Sequence, residues 1–442
     1  MKSFLNFFNN TSVFKRLLKG VGANTLGKVW VMLIQFLSIY FLNKSWGIEG
    51  YGLWLMISTI PTYLALSDFG LGTAATIRMT KALAENNYKD AVKAFQSVWL
   101  FVSASTLFIF FIGLLIGWGW ISYTDSLKTY SNYSYLVIFQ TVAVMGLSTL
   151  LAIQMSLFKA IYQANNKYAI GTLFFDLASL FEGLIVILIA INGGNILHAA
   201  FGMLFVRVLF TIHYIYLVVK NEDWFSLGFN QADVKTLKEL ARPSIAALSL
   251  TLANSFGIQG VVLTIGWTLG PAVAGVFSAT RMLTRIPLQI PSLLMRASIP
   301  ELTRAYVQRD KSLLDKLMSL NIRLALLVVI PSTCILFILG PWLLNIMSDG
   351  NIKVGYLDFI FLGMAAIFCT LWNTYGMQLL SINRQGDFSW FVILAYFICC
   401  FIPIFVINYE FVLFLLSVFE LFILFFVMRC VQRVKYNFEL QG

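Results

Sequence analysis

Charge is scarce in this chain. Asp, Glu, Lys and Arg make up 12% of its 442 residues, about half the share of a soluble domain, which excludes an ordinary water-facing fold. Histidine is nearly absent: His198 and His213 stand alone without companion ligands, so each is a packed or hydrogen-bonded group rather than part of a metal centre. Five cysteines, Cys334, Cys369, Cys399, Cys400 and Cys430, sit within or at the end of apolar segments. They show no CxxC or Cys/His spacing, which excludes a disulfide framework and a zinc site. No GxSxG, HExxH, Walker or DxD-type motif occurs either, so no catalytic residue, metal or bound cofactor is expected.

What the chain has is apolar length. Hydrophobic residues are 59% of the total and the mean hydropathy is +0.81. A bilayer core of about 30 Å needs about 20 mostly apolar residues per helix, and such stretches recur with short polar breaks. The sequence predicts an all-α integral membrane protein of about twelve spans. They are placed near 24–43, 50–72, 95–118, 134–158, 168–190, 196–219, 244–265, 272–299, 321–344, 355–382, 388–407 and 410–429.

Lys and Arg are retained on the cytoplasmic side of a membrane, so their placement in the breaks predicts orientation. Outside the spans nearly all of them fall on one side, and only Lys44, Lys128 and Lys353 fall on the other. Both termini are therefore expected in the cytoplasm. The formal charge of +11 is dispersed and forms no basic block, which argues against a nucleic-acid partner. The first 22 residues lack a signal-peptide core and cleavage site, and read as an interfacial lead-in to the first span.

The most polar long break, KNEDWFSLGFNQADVKTLKEL, falls at the midpoint and reads as a linker. Sliding the sequence on itself by 223 residues sets Gly52 on Gly275 and TKALAENN (80–87) on TRAYVQRD (303–310). With the offset drifting to 227, FIG at 111–113 matches ILG at 338–340. Two duplicated six-span lobes are expected: 1–220 and 244–435, joined by a cytoplasmic linker over 221–243, with 436–442 as a tail of the kind a tag leaves behind. An even span number per half puts a pseudo-twofold axis along the membrane normal, a transporter layout.

Charges inside spans are costly, about 2.5–3.5 kcal/mol at the bilayer centre, and so mark cavities or pairs. Here they are Lys28, Arg207, Arg281, Arg285 and Arg296 against Asp68, Asp176, Glu182, Asp358 and Glu420. Their formal sum is zero. Arg281, Arg285 and Arg296 in ATRMLTRIPLQIPSLLMRASIP share an arc of about 60°, a stripe about 22 Å long on a straight helix. Pro287 and Pro291 predict a bend within it. Such a stripe suits phosphate or another anion, since guanidinium is a planar fork of donors. Alternatively, Arg296 snorkels and the other two pair with Asp358 or Glu420. Lys28, near Gly22 and Gly27, either faces the cavity or snorkels. Asp68 in ALSDFGLG reads as a helix-end cap or gate partner, and Arg78 as a topology or gate charge. Asp176 and Glu182 lie about 120° and 9 Å apart on one helix, as proton or sodium candidates or as ion-pair partners, for instance with Arg207.

The run WGIEGYGLWLMISTIPTYLALSDFGLGTAATIRM (46–79), after a first span opened by Gly-Ala-Asn-Thr, resembles the start of Wzx-like O-antigen flippases. These belong to the multidrug/oligosaccharidyl-lipid/polysaccharide (MOP) exporter superfamily. The resemblance implies two six-helix lobes in a V shape, as in MATE transporters, and alternating access in a bacterial inner membrane. It further implies flipping of an undecaprenyl-pyrophosphate-linked oligosaccharide from the cytoplasmic to the periplasmic leaflet, driven by an H+ or Na+ gradient. A polysaccharide polymerase and a chain-length regulator would be partners. The family's cationic cavity would correspond to Lys28, Arg281 and Arg285.

Rival readings are a MATE-like drug or cation antiporter, a membrane glycosyltransferase or polymerase, and a channel. The first needs exposed acids in an apolar cavity, which Asp176 and Glu182 could supply. The second needs a large outer loop or a clustered acid/base set, and the third a filter segment; neither is visible.

Overall fold

The first long helix is broken in its middle by one residue. Helix α1 (Thr11–Leu64) carries Gly47 at φ 70°, ψ 174°, a left-handed conformation open to glycine at little cost, and the chain resumes helix immediately. The computed structural model describes residues 11–124, 129–130, 132–165, 167–382, 384–406 and 408–440.

A 3₁₀ turn, Ala65–Asp68, follows α1. Then come α2 (Leu71–Ala84), α3 (Tyr88–Thr124), a small antiparallel hairpin (Thr129–Tyr130 with Tyr133–Ser134), α4 (Tyr135–Ala164), α5 (Tyr168–Ile191) and α6 (Ile196–Asn221). Helix α7 (Val234–Ser255) runs through a π turn at Phe256–Gly260 into α8 (Val261–Leu269). Helix α9 (Pro271–Arg285) is separated from α10 (Gln289–Val307) by a 3₁₀ turn at Ile286–Leu288 containing Pro287. The chain ends with α11 (Lys311–Met347), α12 (Tyr356–Ser381), α13 (Gly386–Phe405) and α14 (Tyr409–Leu440), the last continuing helix into the stretch read as a tail.

Among the described residues, nine helices are long and apolar enough to cross a membrane. The other three predicted spans are helical but interrupted: 24–43 and 50–72 flank the break at Gly47, and 272–299 is split after Arg285. Helices suit a bilayer because they satisfy their own backbone polar groups where no water can. In keeping with this, Thr76, Thr106, Thr141, Thr280 and Thr370 return their hydroxyls to carbonyls four residues back.

Contacts divide the chain into two units. The first comprises Met1–Trp46 and Ile60–Leu248, the second Gly47–Thr59 and Ser249–Gly442. The first unit's core is aromatic at one end: the Phe95 ring meets Phe158 at 5.2 Å and Phe225 at 5.1 Å, both edge-on, while Trp99 stacks on Phe229 at 4.4 Å. Such pairs contribute about 0.5–1.5 kcal/mol each beyond their buried area. Phe225 and Phe229 come from the polar break, so that segment is anchored on the first unit. Its polar groups are anchored there too. Buried Glu222 accepts from Lys167 at 2.7 Å and from the Trp224 indole at 3.1 Å; Gln96 donates to the Ser226 carbonyl, and its own carbonyl accepts from the Gln231 N–H at 2.8 Å. The last passage of the chain from the first unit to the second falls inside α7, after two earlier crossings within α1.

Candidate functional site

Helix α9 places Arg281 and Arg285 one turn apart, and both line a cavity of about 30 Å³ in the second unit. That is room for about two waters. Its other walls include Gly257 of the π turn, Thr284, Leu362, Ala366, Tyr396, Cys399 and Glu420. A π turn leaves backbone carbonyls without their ordinary helical donors. Here the Arg281 guanidinium supplies them, donating to the Gly257 carbonyl at 2.7 Å and the Ile258 carbonyl at 3.3 Å. The Cys400 thiol donates to the Phe256 carbonyl at 2.9 Å. Arg281 also lies over the Phe277 ring at 5.4 Å.

Among the described residues Arg285 has weaker company, donating to the Cys369 sulfur at 3.6 Å. Glu420 faces the same cavity but is held by two neutral donors, the Trp372 indole at 2.8 Å and the Tyr396 hydroxyl at 2.9 Å. Two guanidinium groups thus share the cavity with one carboxylate that is bound elsewhere, and Arg285 keeps most of its donors unspent. Asp358, the other suggested partner for these arginines, is engaged differently: its carboxylate accepts from the Gly355 N–H at 3.2 Å and caps the start of α12. The reason is its position in the first turn, where free N–H groups attract a carboxylate. Arg296 lies beyond the 3₁₀ turn on α10, so the three arginines do not form one straight stripe. The side chains of Arg296 and Lys28 lie outside those described.

In the first unit, the buried pair Glu182 and Arg207 joins α5 to α6 through an ion pair between Arg207 Nε and the carboxylate. Asp176, one and a half turns earlier, takes no part in it. Its carboxylate instead lies against the backbone of Gly27, where a Cβ would come within 1.8 Å of Oδ2. Asp68 accepts from the Gly70 N–H at 2.8 Å and closes the 3₁₀ turn. Arg78 bridges Asp90 at the start of α3 and Glu239 on α7, each at 2.8 Å.

A family model for polysaccharide biosynthesis proteins matches residues 17–306. The chain belongs to this family. A protein of Salmonella typhimurium (strain LT2), provisionally named an O-antigen transporter, is 23% identical over 382 residues, spanning 82% of this chain and 83% of the relative. Among solved structures, the inward-facing form of a multidrug resistance MATE transporter of the MOP superfamily matches with a TM-score of 0.74 at 13% identity, covering 92% of this chain and 96% of that one. Its outward-facing counterpart matches at 0.65 and 12% identity, covering 97% of each. A MOP superfamily transporter from Pyrococcus furiosus, described as having a binding pocket of reverse polarity, matches at 0.58 and 15% identity over 96% and 93% of the two chains. At these identities the likeness shows the fold. The expected Wzx-like member of the MOP superfamily, an all-α multi-pass membrane transporter, is borne out.

For this family member, several site residues escaped the sequence. Trp372 and Tyr396 could not be told from the many aromatics that face lipid or interface. Lys159 reads as a cytoplasmic topology charge at the end of a span, yet it lines a cavity of the first unit, its ammonium 4.3 Å from the Phe175 ring centre.

Proposed function

We propose that this transporter flips an undecaprenyl-pyrophosphate-linked oligosaccharide, an O-antigen or related repeat unit, from the cytoplasmic to the periplasmic leaflet of a bacterial inner membrane. Alternating access by two six-span lobes with cytoplasmic termini, coupled to an H+ or Na+ gradient, would carry it; a polymerase and chain-length regulator would take the product on. The observation that supports this reading most is the Arg281 and Arg285 pair, facing a cavity whose one acid, Glu420, is occupied by Trp372 and Tyr396. A pyrophosphate is the ligand class for which two forked, charged donors one turn apart are suited. Membership of the polysaccharide biosynthesis family and the name of the Salmonella relative point the same way. Gradient coupling would fall to Asp176, an in-span acid of the first unit that neither caps a turn, as Asp68 does, nor pairs with an arginine, as Glu182 does with Arg207.

The test is translocation in proteoliposomes. Wild type is expected to move the lipid-linked oligosaccharide, and Arg281→Ala with Arg285→Ala to abolish movement while reconstituting normally. An unaffected double variant would put the anion site elsewhere. No transport by wild type under H+ and Na+ gradients would favour the other reading, a MATE-like cation antiporter.

A further inference from the structure

In the first unit, α2, α4 and the 3₁₀ turn after α1 enclose a cavity of about 400 Å³. Helix α4 turns Thr149, Ser156 and Gln163 toward it at helical spacing, with Lys159 beside them, and α2 adds Thr73 and Thr76. In a bilayer, hydroxyls normally bond back to their own helix, as Thr76 and Thr149 do. Ser156, Gln163 and Thr73 do not, and have no hydrogen-bond partner among the described residues. The Lys159 ammonium rests on the Phe175 ring, with no carboxylate within 4.0 Å among the described residues, and among them Asp68 leaves its second oxygen unbonded after capping Gly70. Among the described residues, three neutral polar groups without partners, the Lys159 ammonium, which feels the charge of Asp176, and one available carboxylate oxygen thus face a single space.

From this we propose that the cavity is a sugar subsite for the glycan of the lipid-linked substrate, an inference that rests on the flippase reading above. A metal or coupling cation fits poorly. Such an ion is held by oxygens at about 2.3–2.6 Å, whereas this space is many times an ion's volume and admits an ammonium to its wall. A sugar ring fills it better. Ligand sites start at about 300 Å³, and a pyranose offers hydroxyls that both donate and accept. Lys159 and Gln163 donate to ring hydroxyls, Asp68 accepts from one, and Phe175 covers the apolar C–H face. Water fills the same positions between cycles, which keeps these groups solvated when no sugar is bound.

The test is equilibrium binding to purified full-length protein of two probes: undecaprenyl pyrophosphate bearing an N-acetylhexosamine-containing disaccharide, and the same carrier with no sugar. Wild type is expected to bind the sugar-bearing probe at least ten-fold more tightly. Lys159→Gln with Gln163→Ala removes that advantage and leaves the bare carrier's affinity unchanged. Should the double variant fold poorly, Ser156→Trp, at an exposed position, fills the cavity without deleting its charge and produces the same selective loss. Equal wild-type affinity for both probes, no change in the variants, or equal loss for both probes overturns the subsite while leaving the flippase reading standing. Binding of neither probe by wild type overturns the flippase reading and the subsite with it.

Discussion

Gly52 and Gly275 touch backbone to backbone: a Cβ on Gly275 would sit 3.4 Å from the Gly52 Cα, and one on Gly52 would sit 1.7 Å from the Pro271 carbonyl oxygen. These are the two positions that the internal repeat superposes. Overpacking costs typically about 1–3 kcal/mol, and the obstacle here is backbone, which cannot rotate away. Gly52→Ala is therefore expected to reach the upper end of that range, read as lost monodisperse protein and a lowered unfolding temperature in detergent. Gly113→Ala, where nothing lies within 4 Å, is the neutral control.

The Glu182 and Arg207 pair is buried on both sides, so removing one partner strands a charge. Glu182→Leu or Arg207→Met is expected to cost about 3–5 kcal/mol, and the combined Glu182→Leu, Arg207→Met change far less. Unfolding temperatures of the three variants and wild type form the cycle. Damage in the double variant equal to the sum of the two singles would mean the pair is not coupled.

Asp233 caps α7 by accepting from the Thr236 N–H and hydroxyl, and it meets Lys93 at 2.9 Å. These partners, with the Lys93 bond first among them, hold its carboxyl well below the ordinary 3.8. A depressed carboxyl contributes stability above its unfolded value and loses it only as pH falls through the folded one. Protection of 222–236 from proteolysis should therefore stay flat from pH 8 to pH 5, and Asp233→Ala should lose it throughout. A decline already at pH 6 would assign the anchoring to another group.

Glu420→Gln keeps one acceptor oxygen for the Trp372 indole and turns an amide donor to the Tyr396 hydroxyl, which can accept it, while removing the carboxylate charge that lines the cavity with Arg281 and Arg285. Affinity for undecaprenyl pyrophosphate is expected to rise several-fold, because charge repulsion at an anion site is relieved. Weaker binding would mean that Glu420 itself orients the arginines.

The sequence displayed most of the architecture because lipid demands long apolar runs, and a charge within such a run stands out, as Arg281, Arg285 and Glu182 do. Pro287 likewise announced the interruption after Arg285. Partners were a different matter. Helical spacing says which face a residue occupies but not which helix lies opposite, so Asp358 and Glu420 looked equivalent as companions of α9. Only the fold separates them, placing Glu420 at the cavity and Asp358 at a helix start. Lys159 was hidden by its place at the end of a span, where positive charge is the rule. The break at Gly47 was legible, because Asn43, Lys44, Ser45 and Glu49 interrupt the apolar run between the spans at 24–43 and 50–72.

A carrier has to let go of what it holds. Arg281 comes with its own replacement ligands, the Gly257 and Ile258 carbonyls exposed by the π turn. On the flippase reading, an incoming anion competes with them, and on its departure they reclaim the guanidinium at once. The turn thus sets a ceiling on how tightly the cargo is gripped, trading residence time for turnover.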